Sequence, residues 1–331
     1  MPDMLRTANP VQARLSFLSR PHGMPHACSA FCPMPVLALM FNALVWGLSW
    51  WPFRQFQAAG LHPLWTTVAL YLLSLAVIVI SNPKAWGEFL RTPSLWVIMA
   101  AAGCTNTAFN WGVAVGDVVR VVLLFYVAPL WTVLLARLLL KERMTPLAAL
   151  RMVLALGGAA CVLMPAEGGF PLPSSLPDWL GLAGGFCFAL NNVMLRREAA
   201  RGAHARALAM FLGGVVVAGA AACGMAAGAL IGWPALPGAV WLLPLGAMAL
   251  LFLASNLCLQ YGAARLPANV TSVVMLAEVP AAALSAIWLG GGVLDAKTAV
   301  GGACILAAAL LATLERRAAT IAAPEQQEAR A

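Results

Sequence analysis

Residues 104–114 read CTNTAFNWGVA and residues 254–264 read ASNLCLQYGAA. Set 150 positions apart, Asn106 meets Asn256, Asn110 meets Gln260, Trp111 meets Tyr261 and Gly112 meets Gly262. Two further blocks follow in the same order. YVAPLWTVLLARLLL (126–140) corresponds to EVPAAALSAIWLGG (278–291), with a one-residue shift that brings Pro129 onto Pro280. GGAACVL (157–163) then corresponds to GGACIL (301–306). Three blocks in one order argue against chance, and the chain reads as two copies of one unit.

Composition says what the unit is made of. Hydrophobic residues are 62% of the 331 and charged residues only 10%, with a mean hydropathy of +0.86. Soluble domains carry about 25% charge, so the bilayer is the solvent here. Ten apolar stretches of spanning length lie near 35–53, 63–81, 94–115, 119–140, 146–164, 178–196, 207–231, 239–261, 267–290 and 298–314. They are too continuously apolar for barrel strands, and in hydrocarbon each must satisfy its own backbone amides, so all ten are predicted as helices. The predicted fold is an all-α membrane protein with ten transmembrane helices. Five fall in each half, and an odd number turns the second copy upside down. That makes two inverted five-helix repeats, a construction expected of secondary transporters. The segments are a basic, disordered cytoplasmic leader (1–33), a first repeat (34–164), a Pro/Gly/Ser-rich outer linker (165–177), a second repeat (178–314) and a cytoplasmic tail (315–331).

Charge sets the orientation. Of the 20 Lys+Arg, all but Arg54, Arg120 and Lys297 fall on one side of such a bundle. Cytoplasmic loops carry this excess, which predicts both termini inside a cell inner membrane. The net charge of +8 then reflects topology, and nucleic acid is not an expected partner. Six of the eight cysteines (Cys104, Cys161, Cys187, Cys223, Cys258 and Cys304) lie within spans and imply no disulfide framework. In HGMPHACSAFC (22–32), His22, His26, Cys28 and Cys32 have a superficial metal-ligand spacing. A Pro-rich leader offers no scaffold for such a site, so no metal is expected. The leader has no apolar core, which excludes a signal peptide. No G-x-S-x-G or H-E-x-x-H occurs and no histidine lies within a span, so neither catalysis nor a cofactor is expected.

FNALVWGLSWW (41–51), RVVLLFYVAPLWTVLLARLLLKER (120–143) and VTSVVMLAEVPAAALSAIWLGG (270–291) resemble EamA-type members of the drug/metabolite transporter superfamily. The resemblance runs over about residues 36–314. It implies ten helices, an inverted five-plus-five repeat, and transport of small metabolites, often outward, amino acids among them. It names no substrate. The first half keeps the family's acidic ending at Glu142, whereas the second reads WLGGGVLD with only Asp295 nearby. The small four-helix relatives carry a glutamate in their first helix; this chain has no acid in its first span.

Polar residues inside the spans are the candidate site. Glu278 is the acid well inside a span, where an unpaired carboxylate costs ~2.5–3.5 kcal/mol. Pro280 removes a donor beside it, and such broken helices are tolerated where they line a cavity. Glu278 could bind a substrate amine, carry a proton, or do both; the plainer reading is a protonated carboxyl bonded to Asn or Ser across helices. Asn106 with Asn110, and Asn256 with Gln260, share helix faces that would line a polar cavity or simply tie the bundle together. Asn42, Trp46 and Ser49 share a face of the first span; the sixth carries Phe188, Asn191 and Asn192. Trp46 with Phe188 could form an aromatic wall. Arg120 could capture a substrate carboxylate at the outer mouth or pair with Asp117 as a cap. Tyr126 offers a hydroxyl, and Pro129 is expected to kink its helix and permit gating. Glycines at spacing four (Gly112/Gly116, Gly181/Gly185, Gly224/Gly228) read as helix packing. The expected partners are the lipid bilayer, a small-molecule substrate and protons, with the chain a monomer or homodimer. The competing reading is a non-transporting scaffold or sensor with a sealed polar core.

Overall fold

The computed structural model describes residues 34–141, 145–165, 172–198, 200–234, 238–263, 274–275, 277–308 and 310–311. The predicted leader, most of the outer linker, Glu142 and the tail lie outside them. The described residues form helices and no strand: α1 (Met34–Leu48), α2 (Trp50–Ala58), α3 (Pro63–Ser81), α4 (Ala85–Arg91), α5 (Pro93–Val115), α6 (Val118–Phe125) and α7 (Ala128–Leu140). They continue with α8 (Pro146–Leu163), α9 (Leu176–Arg197), α10 (Ala203–Ala227), α11 (Leu242–Ala263), α12 (Glu278–Leu289) and α13 (Ala296–Ala308).

Local chemistry starts these helices. Pro63, Pro93, Pro129 and Pro146 each stand in a first turn, where a missing N–H costs nothing. Asp117 and Thr145 accept the backbone N–H groups of Arg120 and Ala148 as N-caps. Among the described residues, six helical stretches are long and apolar enough to cross a membrane: Met34–Ala58, Pro63–Ser81, Val118–Leu139, Pro146–Leu163, Ala203–Ala227 and Leu242–Leu259. Large apolar side chains face outward, Trp288 at 87% exposure and Ile80 at 79%, as lipid requires. This is a multi-pass membrane protein.

Several expected spans look different in detail, the first (35–53) in being interrupted at Ser49 between α1 and α2. The span predicted over 119–140 is interrupted at Tyr126–Val127 and restarts as α7. Of the span predicted over 267–290, α12 is only 12 residues long, too short to cross alone.

The helix α5 is the hub: α9 and α10 both pack along it, α10 also covers α3, and α11 and α12 both lie on α1. Small residues allow these approaches. A Cβ at Gly103 of α5 would strike the Gly213 carbonyl of α10, and one at Gly213 would strike the Met99 carbonyl. Gly158 of α8 and Gly301 of α13 are reciprocal, each lacking room for a Cβ by a 2.6 Å approach to the other's carbonyl. The Gly112/Gly116 and Gly181/Gly185 pairs are close contacts as predicted. Gly224/Gly228 is not: nothing lies within 4 Å of a Cβ at Gly224, and a Cβ at Gly228 would make only ordinary contacts of 3.5 Å or more. Spacing alone does not distinguish a glycine seam from a lipid-facing glycine. Gly213→Leu is therefore expected to cost about 1–3 kcal/mol through overpacking, while Gly224→Leu in the same helix leaves stability unchanged. Thermal unfolding of both variants in detergent measures the difference.

Candidate functional site

The unusual backbone of this bundle is where α6 gives way to α7 and where α12 begins. Pro129 cannot donate to the Phe125 carbonyl, so the helix stops at Phe125 and restarts at Ala128. Pro280 stands in the corresponding first turn of α12, which begins at Glu278. The two breaks face each other: the Tyr126 hydroxyl donates to Glu278 Oε2 at 2.8 Å. Glu278 is 8% exposed. Helix α1 crosses directly over this point, because a Cβ at Gly47 would lie 2.8 Å from the Glu278 carbonyl. The sequence-predicted carboxylate is thus paired, with a phenol rather than with Asn or Ser.

Elsewhere in the bundle a cavity of about 50 Å³ is lined by Trp46, Tyr71, Ser74, Asn106, Phe252 and Asn256, with Leu70, Met210 and Phe211 completing the wall. It has room for a few waters. Trp46 lines it and packs against both core clusters of the bundle, one of which holds Phe125 and Val279, with edge-on contacts to Phe252 at 4.8 Å and Phe109 at 6.1 Å. Asn106 Nδ2 donates within its own helix to the Ala102 carbonyl at 2.8 Å.

The other predicted residues fall around this pair of features. Asn42 donates to both the carbonyl and the hydroxyl of Ser255, at 2.9 and 2.6 Å, tying α1 to α11. Asn110 donates to Thr67 Oγ1 at 3.2 Å, tying α5 to α3. The Oδ1 atoms of Asn42, Asn110 and Asn191 are buried without a protein partner among the described residues. Asn192 is exposed. Phe188 meets Phe125 at 5.2 Å and reaches Trp46 only through Phe125 and Phe109, so the aromatic wall is a four-ring chain rather than a direct pair. The side chains of Gln260 and Pro129 lie outside those described.

At the far end of α5 a second polar network closes the bundle. Arg120 makes two bonds to the buried Asp178, at 2.6 and 3.0 Å, and a third to the Val162 carbonyl at 2.9 Å. The expected Arg120–Asp117 ion pair is replaced by a cap: Asp117 takes the Arg120 backbone N–H and, with its other oxygen, the Val293 N–H at 2.8 Å. Arg54 bonds the carbonyls of Val113, Gly116 and Gly291 and lies over Trp50. Asp295 is an exposed cap; hydrogen bonds from the Thr298 hydroxyl and then from its backbone N–H hold the Asp295 carboxyl below the usual range. Sequence reasoning missed Asp178, Ser255 and the second-span face Thr67, Tyr71, Ser74. That face had a signal, since these residues recur at i, i+4 and i+7. Breaking the clamp with Asp178→Asn is expected to cost about 2–3 kcal/mol, below a fully buried pair because the Arg120 side chain is 30% exposed. A double-mutant cycle with Arg120→Gln, read by thermal unfolding, should return most of that as coupling.

Comparison with known proteins agrees with this architecture. Residues 33–164 match the EamA-like transporter family. A segment of 83 residues is 36% identical to an uncharacterized transporter of Pseudomonas aeruginosa, a match that spans 24% of this chain and 28% of the relative. A crystal structure, described only as that of a protein, superposes with a TM-score of 0.53 at 19% identity. It covers 86% of this chain and 97% of its own, and at that identity it shows a shared fold alone. The resemblance read from the sequence is borne out over the first half, as a match to the EamA-like transporter family at residues 33–164.

Proposed function

We propose that this chain is a secondary transporter of ten spans in two inverted five-helix repeats. It exports small amphipathic metabolites such as amino acids across the inner membrane, with both termini cytoplasmic. The observation that carries this reading is the Tyr126–Glu278 hydrogen bond across two interrupted helices. Discontinuous helices near the bilayer midplane, at the junction of repeats, are where secondary transporters hold substrate and coupling ions.

Symmetry supports it. Exchanging the halves turns the α9–α5 contact into α11–α1 and the α9–α7 contact into α12–α1, and all four occur. Gly158 meets Cys304 and Ile305 where Gly301 meets Cys161 and Val162, an equivalent set at one constant offset. Asn106 and Asn256, aligned as repeat mates by sequence, line one cavity.

The mechanism follows from size and closure. A metabolite pocket needs about 300 Å³ or more, so the cavity must enlarge as the repeats rock. The Arg54 and Arg120–Asp178 networks hold one end shut in this conformation, and Glu278 takes the proton or the substrate amine. Arg120, with its guanidinium committed to Asp178, serves that closure.

The test is release of a loaded amino-acid and metabolite pool from proteoliposomes, read by mass spectrometry with and without a pH gradient. Glu278→Gln is expected to lower release at least tenfold or abolish its pH response. Tyr126→Phe, which removes one bond to a carboxylate, is expected to lower release by about tenfold. Release by the folded wild type that neither substitution alters would overturn the assigned site. No release of any compound would favour a scaffold with a sealed polar core.

A further inference from the structure

The opposite end of α5 opens onto a pocket of about 720 Å³, lined by Lys84, Arg91, Thr92, Ser94, Arg197 and Arg201, together with Glu88 and Glu198. Both acids are already engaged. Glu88 accepts the Gly202 N–H at 2.9 Å, and Glu198 lies 3.4 Å from Arg201 and 3.8 Å from Arg197. Lys84 and Arg91 have no carboxylate within 4 Å among the described residues. Two of the helices that begin here, α5 and α10, are treated differently. At the start of α10 the chain supplies its own anion, Glu88, to the N-cap glycine. At the start of α5 it supplies none: the N-cap Thr92 makes no side-chain capping bond, is 6% exposed, and lines the pocket. A buried threonine whose hydroxyl makes no capping bond and a positive helix end, both set beside Lys84 and Arg91, make a site for an external anion.

We propose that this pocket binds a phosphate group, held by Arg91 and Lys84 and seated on Thr92, Ser94 and the N-terminus of α5. Phosphate offers several acceptor oxygens at once, which suits a guanidinium, an ammonium, two hydroxyls and the Ser94 backbone N–H lining one pocket; Pro93 has no N–H, and the Leu95 N–H is taken by the Thr92 carbonyl. The same chemistry occurs in a free phosphate and in the headgroup of an anionic phospholipid. The surroundings favour the lipid. Trp86 and Trp96 both pack on Phe89 at 5.9 Å beside the pocket, with Trp96 49% exposed, as in an aromatic belt at headgroup depth. The site stands apart from the cavity and the helix breaks, and does not depend on the transport reading.

The test uses the full chain in nanodiscs of phosphatidylcholine with and without phosphatidylglycerol, with retained lipids counted by native mass spectrometry. A parallel arm titrates inorganic phosphate against thermal unfolding in detergent. Anionic lipid is expected to be retained at least tenfold over phosphatidylcholine. Neutralising Lys84 or Arg91 to Gln should lower retention by about fivefold each, Arg91→Lys should keep most of it, and Lys297→Gln at the other end should change nothing. Protection by free phosphate that is lost in Arg91→Gln would support the same site with a soluble ligand. Equal loss in Lys297→Gln, or no preference in either arm while Arg91→Gln melts like wild type, would overturn the proposal.

Discussion

A carboxylate in hydrocarbon must find a partner, and much of this bundle is arranged so that Glu278 has one. Its partner Tyr126 hangs from the loose turn left when Pro129 ends α6, and Glu278 itself opens the helix that contains Pro280. The two prolines therefore do more than kink helices. Each frees a segment of backbone at the depth where a polar group would otherwise be stranded, and each sets a side chain there. Without the breaks, Tyr126 and Glu278 would sit on continuous helices with no reason to converge.

Close packing holds that convergence in place. Gly47 lets α1 lie on the Glu278 backbone, and Gly185 lets α9 lie on the Phe125 carbonyl that Pro129 leaves unbonded. Equivalent devices thus cover both breaks from opposite halves. Helices in lipid have no hydrophobic force to bring them together, so such small-residue seams and the few polar ties carry the association. The polar ties sit at different depths: Asn42–Ser255 and Asn110–Thr67 within the bundle, Arg120–Asp178 at one end.

Glu278, Pro280, Asn106 and Asn256 were legible in the sequence because a charge, an amide or a proline in an apolar run has a cost that composition exposes. The duplicated blocks were legible for the same reason. The partners were not. Arg120 pointed to Asp117 three residues away, but its guanidinium reaches Asp178, 58 residues on, and helical spacing says nothing about which helices meet. The break at Tyr126–Val127 was expected as a bend. Proline in a first turn restarts a helix as readily as it kinks one, and the choice is made by the neighbours that fill the gap. Trp46 was placed correctly on its face, yet its ring partners Phe109 and Phe252 are ordinary core residues with no local signal.

The central claim is that the small cavity beside Trp46 opens in turn to each side of the membrane. A single cysteine at Asn106, in a chain otherwise free of cysteine, can be challenged with a membrane-impermeant maleimide from either face of oriented vesicles. The account predicts modification from both faces, with each reaction slowed by transported substrate. Modification from neither face, in protein that remains folded, would contradict it.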